Sequence, residues 1–264
     1  MKIIYHIHDQ CCGHASNTLD SIIKTSLKEG YTELFLTEHC PLDNNNIIFR
    51  PSRKEINDLR NQINKANKKY KGKLLIHFGF ESEYSKWNTK YFDQFAEDPQ
   101  CDYLIFGNHY LGDMWISPRL VMDFTKTEVD LDEYYENFTL AIKKGIFSLY
   151  AHPDIFLQSY QKWDQKAQWL TQETIRLCEK HKLPLGFNAN GMHSSRNGFN
   201  YPSKYFWNEV SKSKVKVIIE ADAHHNDALQ SNWLESARKE AISYGLYKNL
   251  VDTIHIIYFH SYGK

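Results

Sequence analysis

The chain has 264 residues, with 32 Lys+Arg balancing 32 Asp+Glu, so the formal net charge is zero. A hydrophobic fraction of 42% with 24% charged residues can form a buried core and excludes general disorder. Charge neutrality argues against nucleic acid or anionic membrane as the principal partner.

No apolar run approaches the ~20 residues of a spanning helix, and no signal-peptide pattern opens the chain. The five cysteines, at 11, 12, 40, 101 and 178, are odd in number, and adjacent Cys11 and Cys12 pair poorly with each other. A reduced, cytoplasmic setting is expected.

The apolar and helical patterns alternate along the chain. Lys2–His8 reads as a strand and Asn17–Glu29 as a helix, with Asn17 or Thr18 as its cap and Gly30 as its stop. Thr32–Thr37 is a second strand, Arg53–Tyr70 a basic helix, Leu74–Phe80 a third strand and Asp102–Gly107 a fourth. Asp132–Lys144 is a helix, Ile146–Tyr150 the fifth strand, Gln168–His181 a helix and Pro184–Ala189 the sixth strand. Ser203–Ser213 is a helix, Lys216–Glu220 the seventh strand and Asn232–Tyr244 a helix, and the tail Val251–His260 could add a last strand. Near-continuous apolar strands alternating with helices predict a parallel sheet covered outside by helices. For one domain over residues 1–264, closure into an α/β barrel is the economical solution. A doubly wound open sheet would carry a glycine-rich turn after the first strand, where His6-Ile7-His8-Asp9 stands instead.

Histidine carries the functional signal. His6 and His8 end the first strand, two residues apart and so on one face. His14 follows in the next loop. His39, Glu81, His109 and His152 end the second to fifth strands, and Asp222 and His224 follow the seventh. In a parallel barrel the strand C-termini share one mouth. Nine imidazole and carboxylate ligands would therefore meet there, a donor set suited to Zn, Fe or Mn. His77, His181, His255 and His260 lie within strands, a helix or the tail and are read as structural.

The motifs HIHDQCCGHAS, FLTEHCPL, GFESEY, FGNHY, AHPD, FNANG and EADAHH, in this order, resemble the polymerase-and-histidinol-phosphatase (PHP) family across essentially the whole chain, and within it the histidinol-phosphatase-like branch. The resemblance implies a distorted, TIM-barrel-like (β/α)7 barrel with a centre of three divalent metals. It implies His6, His8, Glu81 and Asp222 around the first metal, His14, His39 and His224 around the second, and Glu81, His109 and His152 around the third. It further implies hydrolysis of a small phosphate monoester, L-histidinol phosphate in this branch, by a metal-bridging hydroxide; other branches are phosphodiesterases or 3′–5′ exonucleases.

Two positions depart from the family pattern. Asp9 stands where Thr is common. The Arg that follows the Asn-Gly pair and grips phosphate is displaced, leaving Arg196 or His193 for that role. Asp9, His193 and His225 are candidate proton donors to the leaving group, beside Glu81 and Asp222 as catalytic carboxylates. Asp113, Asp154, Glu83, Tyr110 and Trp115 follow ligand-bearing strands and are candidate contacts for the far end of the substrate. The basic stretch from Arg53 to Lys73 is read as a solvated helix face.

Overall fold

The computed structural model describes residues 2–42, 47, 49–122, 129–194 and 201–259, with Ser194 described by its backbone alone. In chain order, β1 (Ile3–Ile7) leads through a short 3-10 turn to α1 (Leu19–Lys28), then β2 (Glu33–His39), α2 (Arg53–Lys69), β3 (Leu75–Ser82), α3 (Thr89–Glu97) and β4 (Tyr103–Phe106). A small hairpin, β5 (Tyr110–Leu111) and β6 (Arg119–Leu120), precedes α4 (Leu131–Lys144) and β7 (Phe147–Tyr150). The chain continues through α5 (Leu157–Tyr160), α6 (Gln165–His181), β8 (Leu185–Asn188), α7 (Ala189–Ser194), α8 (Lys204–Ser211), β9 (Val217–Glu220) and α9 (Ser231–Ser243).

Seven strands pair in parallel in the order β1-β2-β3-β4-β7-β8-β9. The sheet closes on itself after β9: Ala221 N–H donates to Tyr5 O (3.0 Å), Ala223 N–H to His6 O (3.1 Å) and His8 N–H to Ala223 O (3.0 Å). The result is the expected distorted (β/α)7 barrel. Two apolar layers hold it. Outward residues such as Ile4, Leu34, Leu36, Leu104 and Phe106 pack under the helices. Inward residues Tyr5, Phe35, Tyr103, Ile105, Leu149 and Ile218 fill the interior below the mouth. Alternation along each strand produces this division, because successive side chains face opposite sides.

Helix ends follow local chemistry. Thr18, not Asn17, caps α1, in a reciprocal capping box with Ser21. Asn17 is fully buried instead, and its amide donates to the carbonyls of His8 (3.3 Å) and Ala223 (3.1 Å), tying the first loop across the barrel seam. Asp130 and Asp164 cap α4 and α6, each accepting two backbone N–H bonds. α3 and the β5–β6 hairpin had no counterpart among the predicted elements. Asn88, at the α3 N-cap, makes no side-chain capping bond; its Oδ1 accepts instead from Ser85 N–H (3.0 Å) and Oγ–H (2.9 Å).

The predicted last strand is corrected. Leu250 makes one isolated bridge to Val217, and residues 251–259 form no ladder. β9 lies beside β8, and the segment after it is taken up by β1 at the seam, so the tail takes another course. Ile256 is buried with the inward layer, and Ile257 N–H donates to Ser148 Oγ (2.9 Å). All five cysteines are free thiols. Among the described residues, no helix is long and apolar enough to cross a membrane.

Candidate metal centre

The strand ends are locally distorted where the candidate ligands stand. His6, His152 and Asp222 have φ of 65°, 33° and 44°, a left-handed region disfavoured for residues other than glycine. The β1–β2 register shifts between Tyr5 and Ile7. These distortions aim His6 and His8 at one point, with their Nε2 atoms 3.0 Å apart. Backbone strain of this kind persists only where surrounding structure over-determines it, and it concentrates at functional sites.

Glu81 lies at the centre, 1% exposed. Its two oxygens face different neighbours. Oε1 is 2.7 Å from His152 Nε2 and 3.2 Å from His109 Nε2. Oε2 is 3.3 Å from His6 Nε2, 3.3 Å from His39 Nδ1 and 3.6 Å from His8 Nε2. Asp222 Oδ1 adds contacts to His6 (3.6 Å), His8 (3.5 Å) and His224 Nδ1 (3.4 Å). The His14 ring lies 4.4 Å from that of His224 and 5.4 Å from that of His39. All nine predicted ligand positions thus form one contiguous cluster.

The remaining candidates are placed differently. Asp9 is 6% exposed and caps the Gln10–Cys12 turn, accepting from Cys11 N–H (3.1 Å). Burial raises its carboxyl pKa, against the lowering effect of the Cys11 hydrogen bonds. His193 is exposed on α7, its ring stacked on Trp233 at 3.5 Å and its Nε2 3.0 Å from Ser236 Oγ. His225 meets the same indole edge-on, at 5.2 Å. Arg196 lies outside the described residues. Asp154 is fully buried and accepts from Ser203 N–H (2.6 Å) and Trp207 Nε1–H (3.0 Å), so it braces α8 and is closed to a substrate. His77 pairs with Glu33 (2.6 Å) and stacks on Phe35, as its structural reading requires.

A shell of buried carboxylates backs the imidazoles. Glu220 Oε2 accepts from His6 Nδ1–H (2.9 Å), while its Oε1 accepts from His152 backbone N–H (2.8 Å). Glu83 Oε1 accepts from His109 Nδ1–H (3.0 Å) and is ion-paired with the buried guanidinium of Arg50. Glu38 accepts from Asp9 N–H and has Oε2 at 4.0 Å from His8 Nδ1. Such partners fix the imidazole tautomer so that the other ring nitrogen presents a lone pair. Glu220, Glu38 and Arg50 were absent from the predicted site, and Glu83 was expected at the substrate instead. Glu38 and Glu220 stand inside the motifs that carry the ligands, and that adjacency was the available signal. Two glycines make room for the carboxylates: a Cβ at Gly107 would come within 2.5 Å of Glu81 Oε1, and one at Gly186 within 2.5 Å of the Glu220 carboxyl carbon.

The donor set fits divalent cations. A tetrahedral shell with donor distances of about 2.1 Å has edges of about 3.4 Å. The contacts among His6, His8, Glu81 and Asp222 run from 3.0 to 3.6 Å. Further donor groups lie within 4.8 Å of one another: His39, Glu81 and His109; His8, His39 and His224; and Cys12, His14 and His224. Cys12 is a potential donor that the sequence reading left out. His224 Nε2 and His39 Nδ1 are buried without a hydrogen-bond partner.

Electrostatics divide the imidazoles. Burial and the facing His224 push His8 down to about 3 and His14 to about 4, so both imidazoles are neutral at neutral pH and retain a lone pair. Burial opposes ionisation of Glu81, but His109 and His6 outweigh it and hold the carboxyl well below the usual range. Burial likewise opposes charge on His109, yet Glu81 and Glu83 raise it to about 10. The carboxylates therefore draw positive charge into the cluster.

A model of the PHP domain matches residues 5–190. The histidinol-phosphatase of Bacillus subtilis (strain 168) is 25% identical over 250 residues, covering 83% of this chain and 92% of that protein. Among solved structures, a Listeria monocytogenes chain superposes with a TM-score of 0.69 at 17% identity, covering 88% of this chain and 98% of that one. The histidinol phosphate phosphatase of Lactococcus lactis, solved with Zn, L-histidinol and phosphate, gives 0.67 at 14% identity, covering 96% and 98%. These two likenesses establish the fold. With the family model covering most of the barrel and its strand-end histidines, the chain belongs to the PHP domain family.

Proposed function

We propose that this protein is a metal-dependent phosphomonoesterase that converts L-histidinol phosphate to histidinol and phosphate. The observation that carries the reading is Glu81, whose two oxygens each face a separate set of imidazoles inside a cluster of nine ligand-type side chains. Three divalent ions, Zn, Fe or Mn, are assigned to His6/His8/Glu81/Asp222, His14/His39/His224 and Glu81/His109/His152. Bound there, they would supply an acidified water as nucleophile and positive charge for the phosphoryl oxygens.

The chain's own residues prepare that chemistry. Glu220 and Glu83 accept hydrogen bonds from His6 and His109 Nδ1–H, so Nε2 is the nitrogen that each ring turns toward the centre. Asn188 donates to Asp222 Oδ2 (2.8 Å), which turns Oδ1 toward His6 and His8. Asp9, by capping the Gln10–Cys12 turn, positions the loop that carries His14. Arg196 or His193 is assigned to the substrate phosphate. Cationic surroundings favour a monoester dianion over a diester monoanion, since each added negative charge gains attraction.

The substrate is supported by the Bacillus subtilis relative, by name a histidinol-phosphatase, and by the ligands bound to the Lactococcus lactis protein. The test is turnover of histidinol phosphate, aryl phosphates, nucleoside monophosphates, an aryl diester and single-stranded DNA, with Mn or Zn added. Histidinol phosphate is expected to exceed simple aryl phosphates at least about tenfold in kcat/KM, equal to ~1.4 kcal/mol of transition-state binding. Equal rates on all monoesters would remove the named substrate. Cleavage of only diesters or DNA would replace the reading with a nuclease-type activity.

A further inference from the structure

Phe49 is anomalous in two independent ways. Its φ of 66° is left-handed, a conformation that a bulky side chain adopts at a steric cost. The residue is also 50% exposed, so limited burial offsets that cost. Both neighbouring anchors are firm. Ile47 is buried in the core, and the adjacent Arg50 guanidinium is locked on Glu83 inside the protein. The backbone thus holds an aromatic ring outward at a fixed place. That place is the rim of the metal centre, with the Phe49 ring 5.1 Å from the ring of His14, an exposed member of the ligand cluster.

Folding alone would select a glycine or a polar residue at an exposed left-handed position. An aromatic ring there has a use only if something else covers it. Its neighbour is the cluster assigned to the phosphoryl group, so the part of the substrate nearest the ring is the leaving alcohol. An aromatic face takes a flat ring by stacking and a cationic group through its quadrupole.

We propose that Phe49 is a specificity-determining residue, the wall against which the leaving group packs, selecting phosphate monoesters whose alcohol carries a flat or cationic ring. The inference rests on the phosphomonoesterase reading. It makes Phe49 a substrate contact and gives it no part in holding metal.

Steady-state kinetics on the metal-loaded enzyme test it, with wild type, Phe49→Ala and Phe49→Tyr. The substrates are two ring-bearing esters, histidinol phosphate and 2-phenylethyl phosphate, and one ringless ester, glycerol phosphate. Phe49→Ala is expected to raise KM for the ring-bearing esters about two- to tenfold, the range a lost ring stack corresponds to. Their kcat and both constants for glycerol phosphate should stay within about twofold, the tolerance expected for a contact outside the reacting atoms. Phe49→Tyr should restore the wild-type KM, and bound metal measured by elemental analysis should be the same in all three proteins. An equal KM change for ringed and ringless esters, or no change, overturns the proposal. So does loss of bound metal in Phe49→Ala, which would mean that the ring only packs on His14. A wild-type enzyme that turns over no monoester refutes the phosphomonoesterase reading itself, a result distinct from turnover without ring selectivity.

Discussion

Glu220→Gln changes one buried atom and should disable the centre. The Glu220 carboxylate is fully buried, and each oxygen accepts from a different donor, His6 Nδ1–H at 2.9 Å and His152 backbone N–H at 2.8 Å. A glutamine offers one acceptor and one NH2. In one orientation the NH2 faces the His152 N–H, leaving two donors opposed in a dry site, at a cost of about 1–3 kcal/mol. In the other it faces His6, which can accept it only by moving its proton to Nε2. That tautomer silences the nitrogen directed at Glu81 and His8. Either way the variant should bind metal and turn over about 10–100-fold less well, the range typical of lost partners behind a ligating histidine. Elemental analysis after dialysis and kcat under metal-replete conditions measure the effect, with circular dichroism to confirm the fold. Wild-type metal content together with wild-type kcat would refute the assignment of Glu220 as the group that sets the His6 tautomer.

Glu81→Gln should lower occupancy at two metal positions and abolish turnover, whereas His77→Gln, on the same strand but paired with Glu33, should leave metal content unchanged; equal effects would misplace the centre. Gently purified protein should hold about three metals per chain, the number set by the three ligand groups, and a reproducible maximum of one under replete conditions would contradict the proposed ligand set. Chelation should lower the melting temperature: metal at 100 times its Kd contributes about 2.7 kcal/mol, or roughly 5–11 °C for a domain of this size, and an unchanged melt would mean that metal does not bind the folded state preferentially. Gly186→Ala should destabilise the protein and reduce metal content together, because its Cβ would press on the Glu220 carboxylate at 2.5 Å; a fully metallated, equally stable variant would show that the strands can separate without disturbing the site.

The clustering of the candidate ligands was legible in the sequence because strand ends have a fixed place in a parallel barrel. Once seven apolar runs are read as adjacent parallel strands, the residue after each run must lie at one mouth. His6, His8, His39, Glu81, His109, His152 and Asp222 could be brought together on that rule, before any coordinates. The helices were legible in part for a similar reason: Thr18, one of the two caps read for α1, acts within one turn of its own chain, whereas the caps Asp130 and Asp164 went unread and the sequence began α4 at Asp132 and α6 at Gln168.

What tertiary structure decided lies across the barrel. Glu220 supports His6 from 214 residues away, and Glu83 is shared by His109 and by Arg50 from a different loop. Asp154 has the spacing of a pocket residue, yet Ser203 and Trp207 claim its carboxylate. His193 follows a motif strand, yet its ring stacks on Trp233 of α9. The tail has the composition of a strand, but the barrel seam had already taken the available edge, so it does not extend the sheet. Periodicity and capping are local, and one chain segment suffices to determine them. The partner of a buried charge depends on which distant segment arrives beside it, and that is fixed only when the barrel closes.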